Sequence, residues 1–184
     1  MSLVEMLISV ILLFILLMGV LYMFEYGLMN AKTIQSRSVM NVDAANTLEK
    51  LQRQIRCAKS FNVPTANSPI DFVGDVRGDG VDREIIFYRD ANTNTLNVTE
   101  RIGAGAPSTV VVARGVTALS FTYYDVDGVA MTVTGANRTQ IERVDLSFTM
   151  QKTVGANTLS TTKTGTIQIR CDLTMIGESR GARV

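Results

Sequence analysis

From Met6 to Phe24 the chain reads MLISVILLFILLMGVLYMF, an uncharged tract in which only Ser9, Gly19 and Tyr22 interrupt the aliphatic residues. About 20 apolar residues in a helix, each rising about 1.5 Å, cross the roughly 30 Å hydrocarbon core of a bilayer, so the tract has the length of a membrane span. A cleaved secretory signal would need a basic n-region, a shorter apolar core and a small-residue cleavage site, and the tract has none of these. An ordinary anchor helix is the plainer alternative. Against it stand an acid at Glu5 and the absence of any Lys or Arg before Lys32. Taken literally, the positive-inside rule would put everything after residue 25 in the cytoplasm, and a basic leader removed by processing would reverse that orientation.

Composition narrows the chemistry. Of 184 residues none is His, which removes Ser-His and Cys-His nucleophile pairs and the commonest ligand for zinc, haem and copper. Catalysis is a poor first expectation, and no cofactor or metal is implied. With Lys+Arg 18 against Asp+Glu 17, the net charge of +1 gives no basic footprint for a phosphate backbone, so nucleic acid is not an expected partner.

From Glu25 to Lys59 the chain has no Pro and reads as helix. Ala44, Leu48, Leu51 and Ile55 recur at helical spacing on one face, with Glu49, Lys50, Arg53 and Gln54 off the stripe. The first helix is thus expected to run nearly sixty residues, roughly 90 Å, with different solvents around its two halves. Gly19 and Gly27 are its weak points, since Gly costs about 1 kcal/mol relative to Ala in a helix interior. Gly19 either marks a kink or lets helices approach closely in lipid.

Beyond Pro64 the period changes. Segments 83–89, 96–101, 108–113, 116–124, 129–133, 143–150 and 164–173 are rich in β-branched and aromatic residues, and Asn92-Thr93-Asn94, Gly103-Ala104-Gly105, Asp127-Gly128 and Gly135-Ala136-Asn137 supply turns between them. The expectation is an antiparallel sheet with one face covered by the Ala44/Leu48/Leu51/Ile55 stripe, because a sheet and an amphipathic helix each need a partner for the apolar side.

The opening MSLVEMLISVILL closely resembles the mature N-terminus of type IV pilins and of type II secretion pseudopilins. In that family a short basic leader is removed by a prepilin peptidase, the new first residue is N-methylated, and the fifth residue is Glu. Met1 and Glu5 fall on those positions, although the usual first residue is Phe, so Met1 either follows a cleavage or is the initiator. Glu5 has two readings. At the headgroup level a carboxylate costs little. In a filament core of packed apolar helices it needs a cation, and a neighbour's terminal ammonium is the obvious one.

The succession REIIFYRD, ARGVTALSFTYYDVDG, IERVDLSFTM and IQIRC is similar to the J-type minor pseudopilins and the W-type minor pilins, subunits that sit at or near a filament tip. The two resemblances together imply an α+β pilin-like subunit: residues 1–25 a transmembrane and filament-core helix, 26–60 its amphipathic continuation, 61–184 a β-rich head. They imply as partners like or related pilin subunits, the inner membrane before assembly, the peptidase and an assembly machine. The competing class is a monomeric membrane-anchored domain that captures a ligand or peptide at a sheet edge.

Asp75, Asp79 and Asp82 in GDVRGDGVD, and Asp125 and Asp127 in YDVDG, have the alternation of calcium loops but lack the terminal bidentate Glu, and plain Asp-Gly turns are the preferred reading. Arg77-Gly78-Asp79 matches an adhesive tripeptide by chance, and Asn97-Val98-Thr99 and Asn137-Arg138-Thr139 fit the glycosylation pattern. Two cysteines outside the cytoplasm favour one bridge, Cys57 to Cys171, over a pair of buried thiols. Closing a loop of roughly 110 residues would stabilise by up to about 4–5 kcal/mol.

Overall fold

The computed structural model describes residues 2–65 and 69–169. Helix α1 runs Leu3–Ile55 without interruption, about 80 Å long. It passes through Gly19 and Gly27 as regular helix, and a Cβ at either would meet nothing within 4 Å.

The helix ends earlier than expected. Cys57 lies just past it, and residues 58–60 of the expected helix belong instead to strand β1, Ala58–Phe61. Neither Pro nor Gly stops the helix there, so the cause is tertiary. Ala58 and Phe61 are buried, and the Phe61 ring lies 5.9 Å from Phe72 and 6.2 Å from Tyr123. Burial of that kind overrides helix propensity, which spans under about 1 kcal/mol for ordinary residues. Gly74 permits the close approach, since a Cβ there would stand 2.1 Å from the Cys57 carbonyl oxygen.

One sheet was expected, and the head holds two. The first has β1, β2 (Ile70–Gly74), β3 (Arg83–Asp90), β4 (Thr95–Arg101) and β5 (Ser108–Arg114) side by side in chain order, all antiparallel. The second contains β6 (Val116–Tyr124), β7 (Ala130–Met131), β8 (Arg143–Val154) and β9 (Asn157–Gln168), in the order β7-β6-β8-β9. Gly115 is the crossing point between them. It has φ +75°, and a Cβ would stand 2.4 Å from the Gln151 carbonyl oxygen. An L side chain fits neither the backbone conformation nor the space.

Ile70, Phe72, Phe87 and Ile85 of the first sheet face Val144, Leu146, Phe148 and Ile167 of the second in one core. Helix α1 lies against β8 and β9. The expected stripe is the contact: Ala44, Leu51 and Ile55 are fully buried, Leu48 is half-buried against the core, and Met40 and Thr47 extend the same face. The helix comes close because Gly165 on β9 has no side chain, and a Cβ there would be 2.4 Å from Gln52 Nε2 and 2.9 Å from Leu48 Cδ1. The architecture is α+β, a long N-terminal helix packed on antiparallel sheets, as the sequence led one to expect.

Candidate functional site

The fold leaves the first part of α1 outside the head. No residue from Leu3 to Val39 is buried, and Leu12, Phe14 and Met23 are 60%, 70% and 77% exposed. This segment is long and apolar enough to cross a membrane. Docking begins at Met40, with Thr161 Oγ1 of β9 donating to Asn41 Oδ1 at 2.9 Å. The change from bare to docked helix therefore comes well after the change in composition near residue 25, because the stripe needs the sheet beside it.

At the tip, Ser2 and Glu5 form a reciprocal helix cap. The Ser2 backbone N–H donates to Glu5 Oε2 at 2.9 Å, and the Glu5 N–H donates to Ser2 Oγ at 3.4 Å. The first turn of a helix leaves N–H groups without intrahelical partners, and this Ser-x-x-Glu arrangement supplies one from each side. Glu5 thus has an intrachain partner that the pairing argument leaves out, and S-x-x-E in the sequence is the signal that carries it. Met1 lies outside the described residues.

Cys57 is half-buried, and its thiol donates to the Arg53 carbonyl at 3.4 Å. Among the described residues it forms no disulfide, and its expected partner Cys171 lies outside them.

The acidic turns are held by their own chain. Asp75 accepts from the backbone N–H groups of Gly78, Asp79 and Gly80 at 2.7, 3.2 and 2.8 Å. Those bonds, the one from Gly80 first, hold its carboxyl below the usual range. Asp79 takes both terminal nitrogens of Arg83, at 2.7 and 2.5 Å, and is held far below the usual carboxylate range by that pair. Arg83 is buried and also pairs with Glu100 at 2.8 Å, while Asp82 pairs with Lys59 at 2.6 Å. Asp125 accepts from the N–H groups of Asp127 and Val129 at 3.0 and 2.8 Å. These are turns closed by side chains, and among the described residues no group of three His, Cys, Asp or Glu is placed to hold a metal ion.

The short surface motifs are engaged as well. Arg77 pairs with Glu100 at 2.8 Å, so both charged ends of the Arg-Gly-Asp tripeptide already have partners. Asn97 is buried, and Asn137 ties its own loop by accepting from the Thr134 N–H at 2.6 Å and donating to the Thr132 carbonyl at 3.0 Å. The outer face of the second sheet has a shallow groove of about 390 Å³ between the hydroxyls of Ser120, Thr122, Ser147 and Thr164. It is the polar side that an antiparallel sheet turns to water.

No protein-family model matches the chain, and no curated protein is significantly similar to it. What the geometry offers as a site is the bare half of α1, with Ser2 and Glu5 at its tip.

Proposed function

We propose that this chain is a structural subunit of a type IV pilus or a type II secretion pseudopilus. In this reading it is processed by a prepilin peptidase at Met1, held in the bacterial inner membrane with its head outside the cytoplasm, and then drawn into a filament through α1. The role is associative, not enzymatic. The observation that carries the proposal is the division of one continuous helix into a bare apolar half and a half docked on the sheet. Burying a Leu, Ile, Phe or Met side chain is worth about 1.5–3 kcal/mol, so a rod of such residues needs cover, first from lipid and then from like helices. A filament core of packed apolar helices would also give the Glu5 carboxylate a partner to seek on a neighbouring copy, since no other acid precedes Glu25 and no Lys or Arg precedes Lys32.

The test is Glu5→Ala, with protein levels matched and membrane and sheared-filament fractions compared by immunoblot. Removing a charge from an apolar helix end relieves up to about 3 kcal/mol in the bilayer, so the variant is expected in the membrane. Breaking a buried pair from one side typically costs about 3–5 kcal/mol, so it is expected to be lost from filaments. Incorporation at the wild-type level would end the pairing mechanism. The competing reading, an anchored head that captures a peptide at a sheet edge, draws on β5, an edge strand of the first sheet with Val110 and Val111 exposed. That reading predicts no filament fraction for the unsubstituted chain.

A further inference from the structure

We propose that the β8–β9 hairpin is a foot that rests on anionic phospholipid headgroups, held there by Lys32 and Arg37 of α1 and Lys152 of β8. The proposal rests on the membrane-anchored state of the reading above and says what the head does in that state. Strand β9 runs beside α1 in the same direction: Thr161 donates to Asn41, and four residues later Gly165 lies against Leu48 and Gln52. Four residues before Thr161 the hairpin turns between Val154 and Asn157. At about 3.3 Å per strand residue, the turn lies about 13 Å nearer the bare half than Asn41, which is level with Lys32 on a helix rising about 1.5 Å per residue. Thr33 and Ser36 are half-buried while Lys32, Ile34 and Arg37 beside them are exposed, so the face that docks at Met40 continues down to the turn.

The membrane surface is close below. Leu3 to Phe24 rises about 33 Å, enough to fill the roughly 30 Å hydrocarbon core, and headgroups add about 5–8 Å outside it. Lys32 stands about 12 Å beyond Phe24, just outside the headgroups, and Arg37 about 20 Å beyond. Lys152, opposite Leu159, is level with Arg37. Cα–Cβ bonds lean toward a helix's N-terminus, so the two cations of α1 leave it leaning toward the bilayer. All three cations are exposed, and none has an ion pair among the described residues. No acid occurs from Tyr26 to Val42 or from Leu146 to Gln168. At the other end of β6 and β8, Asp125, Asp127, Glu142 and Asp145 outnumber Arg138 and Arg143. The head thus turns a basic end toward the membrane that its own helix enters. Each Lys or Arg near an anionic surface favours contact about fivefold, an attraction that fades over a Debye length of about 8 Å.

The experiment places the full chain, one copy per lipid nanodisc, in discs of phosphatidylcholine alone or of phosphatidylcholine and phosphatidylglycerol in equal parts, each doped with a gadolinium-chelate headgroup lipid. Relaxation enhancement at the Gly155 and Ala156 amides is expected to be about threefold larger in the anionic discs, with the Asp127 amide silent in both. It should fall to the neutral-disc value in about 1 M salt, where the Debye length is about 3 Å, and in a variant combining Lys32→Gln, Arg37→Gln and Lys152→Gln. Lys32→Arg with Lys152→Arg should keep it. Equal enhancement in both discs, or full enhancement in the triple Gln variant, refutes the foot. A hairpin silent with one copy per disc but shielded when two copies share one would assign the cations to a neighbouring copy, and also refutes it. An acyl-chain label that leaves Leu12 and Ile15 untouched would mean that α1 is not inserted; the anchor reading then fails and the foot falls with it. An inserted α1 beside an indifferent hairpin refutes the foot alone.

Discussion

Replacing Gly115 by Ala tests how the head is built. The residue sits at φ +75° between the two sheets, and its Cβ would stand 2.4 Å from the Gln151 carbonyl oxygen. Holding an L residue in the left-handed region costs about 1–2 kcal/mol. Relieving the contact means moving β8, and the Gln151 N–H already donates to the Gly115 carbonyl at 2.7 Å, so the strand cannot withdraw freely. Overpacking of that kind costs about 1–3 kcal/mol. The reduced freedom of the unfolded chain offsets about 0.4–1 kcal/mol. The net expectation is a loss of about 2–4 kcal/mol, a fall in midpoint of roughly 10 °C for a head of this size. Thermal unfolding of the full chain in micelles, followed by tyrosine near-ultraviolet circular dichroism, measures it. Gly128→Ala is the control, because Gly128 has the same φ of +75° and nothing within 4 Å of a Cβ. It should cost about 1 kcal/mol. Equal shifts for the two variants would refute the close crossing at Gly115.

Leu51→Ala is expected to destabilise the head by about 2–5 kcal/mol in the same assay, whereas Lys50→Ala, on the exposed side of the helix, should stay within about 0.5 kcal/mol. Asp75 and Asp79 are both held below the usual carboxylate range in the folded head, Asp75 by the backbone N–H groups and Asp79 by Arg83, so the stability they contribute is present above that range and lost as pH falls through their lower folded values. Asp79→Asn should flatten the acid limb of a midpoint-against-pH curve, with Asp71, raised by burial, working in the opposite sense. Tyr123 donates to the Pro69 carbonyl at 2.7 Å and is pushed up from 10.0 by burial, so stability should fall as pH rises past about 10, and Tyr123→Phe should remove that slope. Non-reducing peptide mapping of the native protein is expected to recover Cys57 joined to Cys171, and two free thiols would remove the staple.

What the sequence disclosed follows from the strength of each periodicity. The span was legible as an unbroken apolar run of membrane length, and the stripe from Ala44 to Ile55 because burial against one sheet imposes a 3.6-residue repeat over several turns. Strand β2 was not, because Ile70 to Gly74 is a short run whose inward members, Ile70, Phe72 and Gly74, include a glycine that adds nothing to an apolar pattern. The N-terminal half of β9 is Asn, Thr and Ser around a single apolar residue, Leu159, which resembles a loop until β8 is beside it; the strand starts at Asn157, where Gly155, at φ +60°, and Ala156 turn the chain so that Val154 faces Asn157. The single residue Gly115 divides one expected sheet into two, and no local pattern announces a change of sheet. At the tip, the span and Glu5 stand out at once. The cap was equally readable in Ser2-Leu3-Val4-Glu5, but attention to Glu5 as a partner for a distant charge passes over the serine three residues before it.

The central claim is that α1 is a filament element, and the mass of the native N-terminus tests it most directly. Protein recovered from sheared surface filaments, or from a periplasmic pseudopilus, should begin at an N-methylated Met1. Recovery only from membranes, with an unmodified start and no filament fraction, would contradict the account.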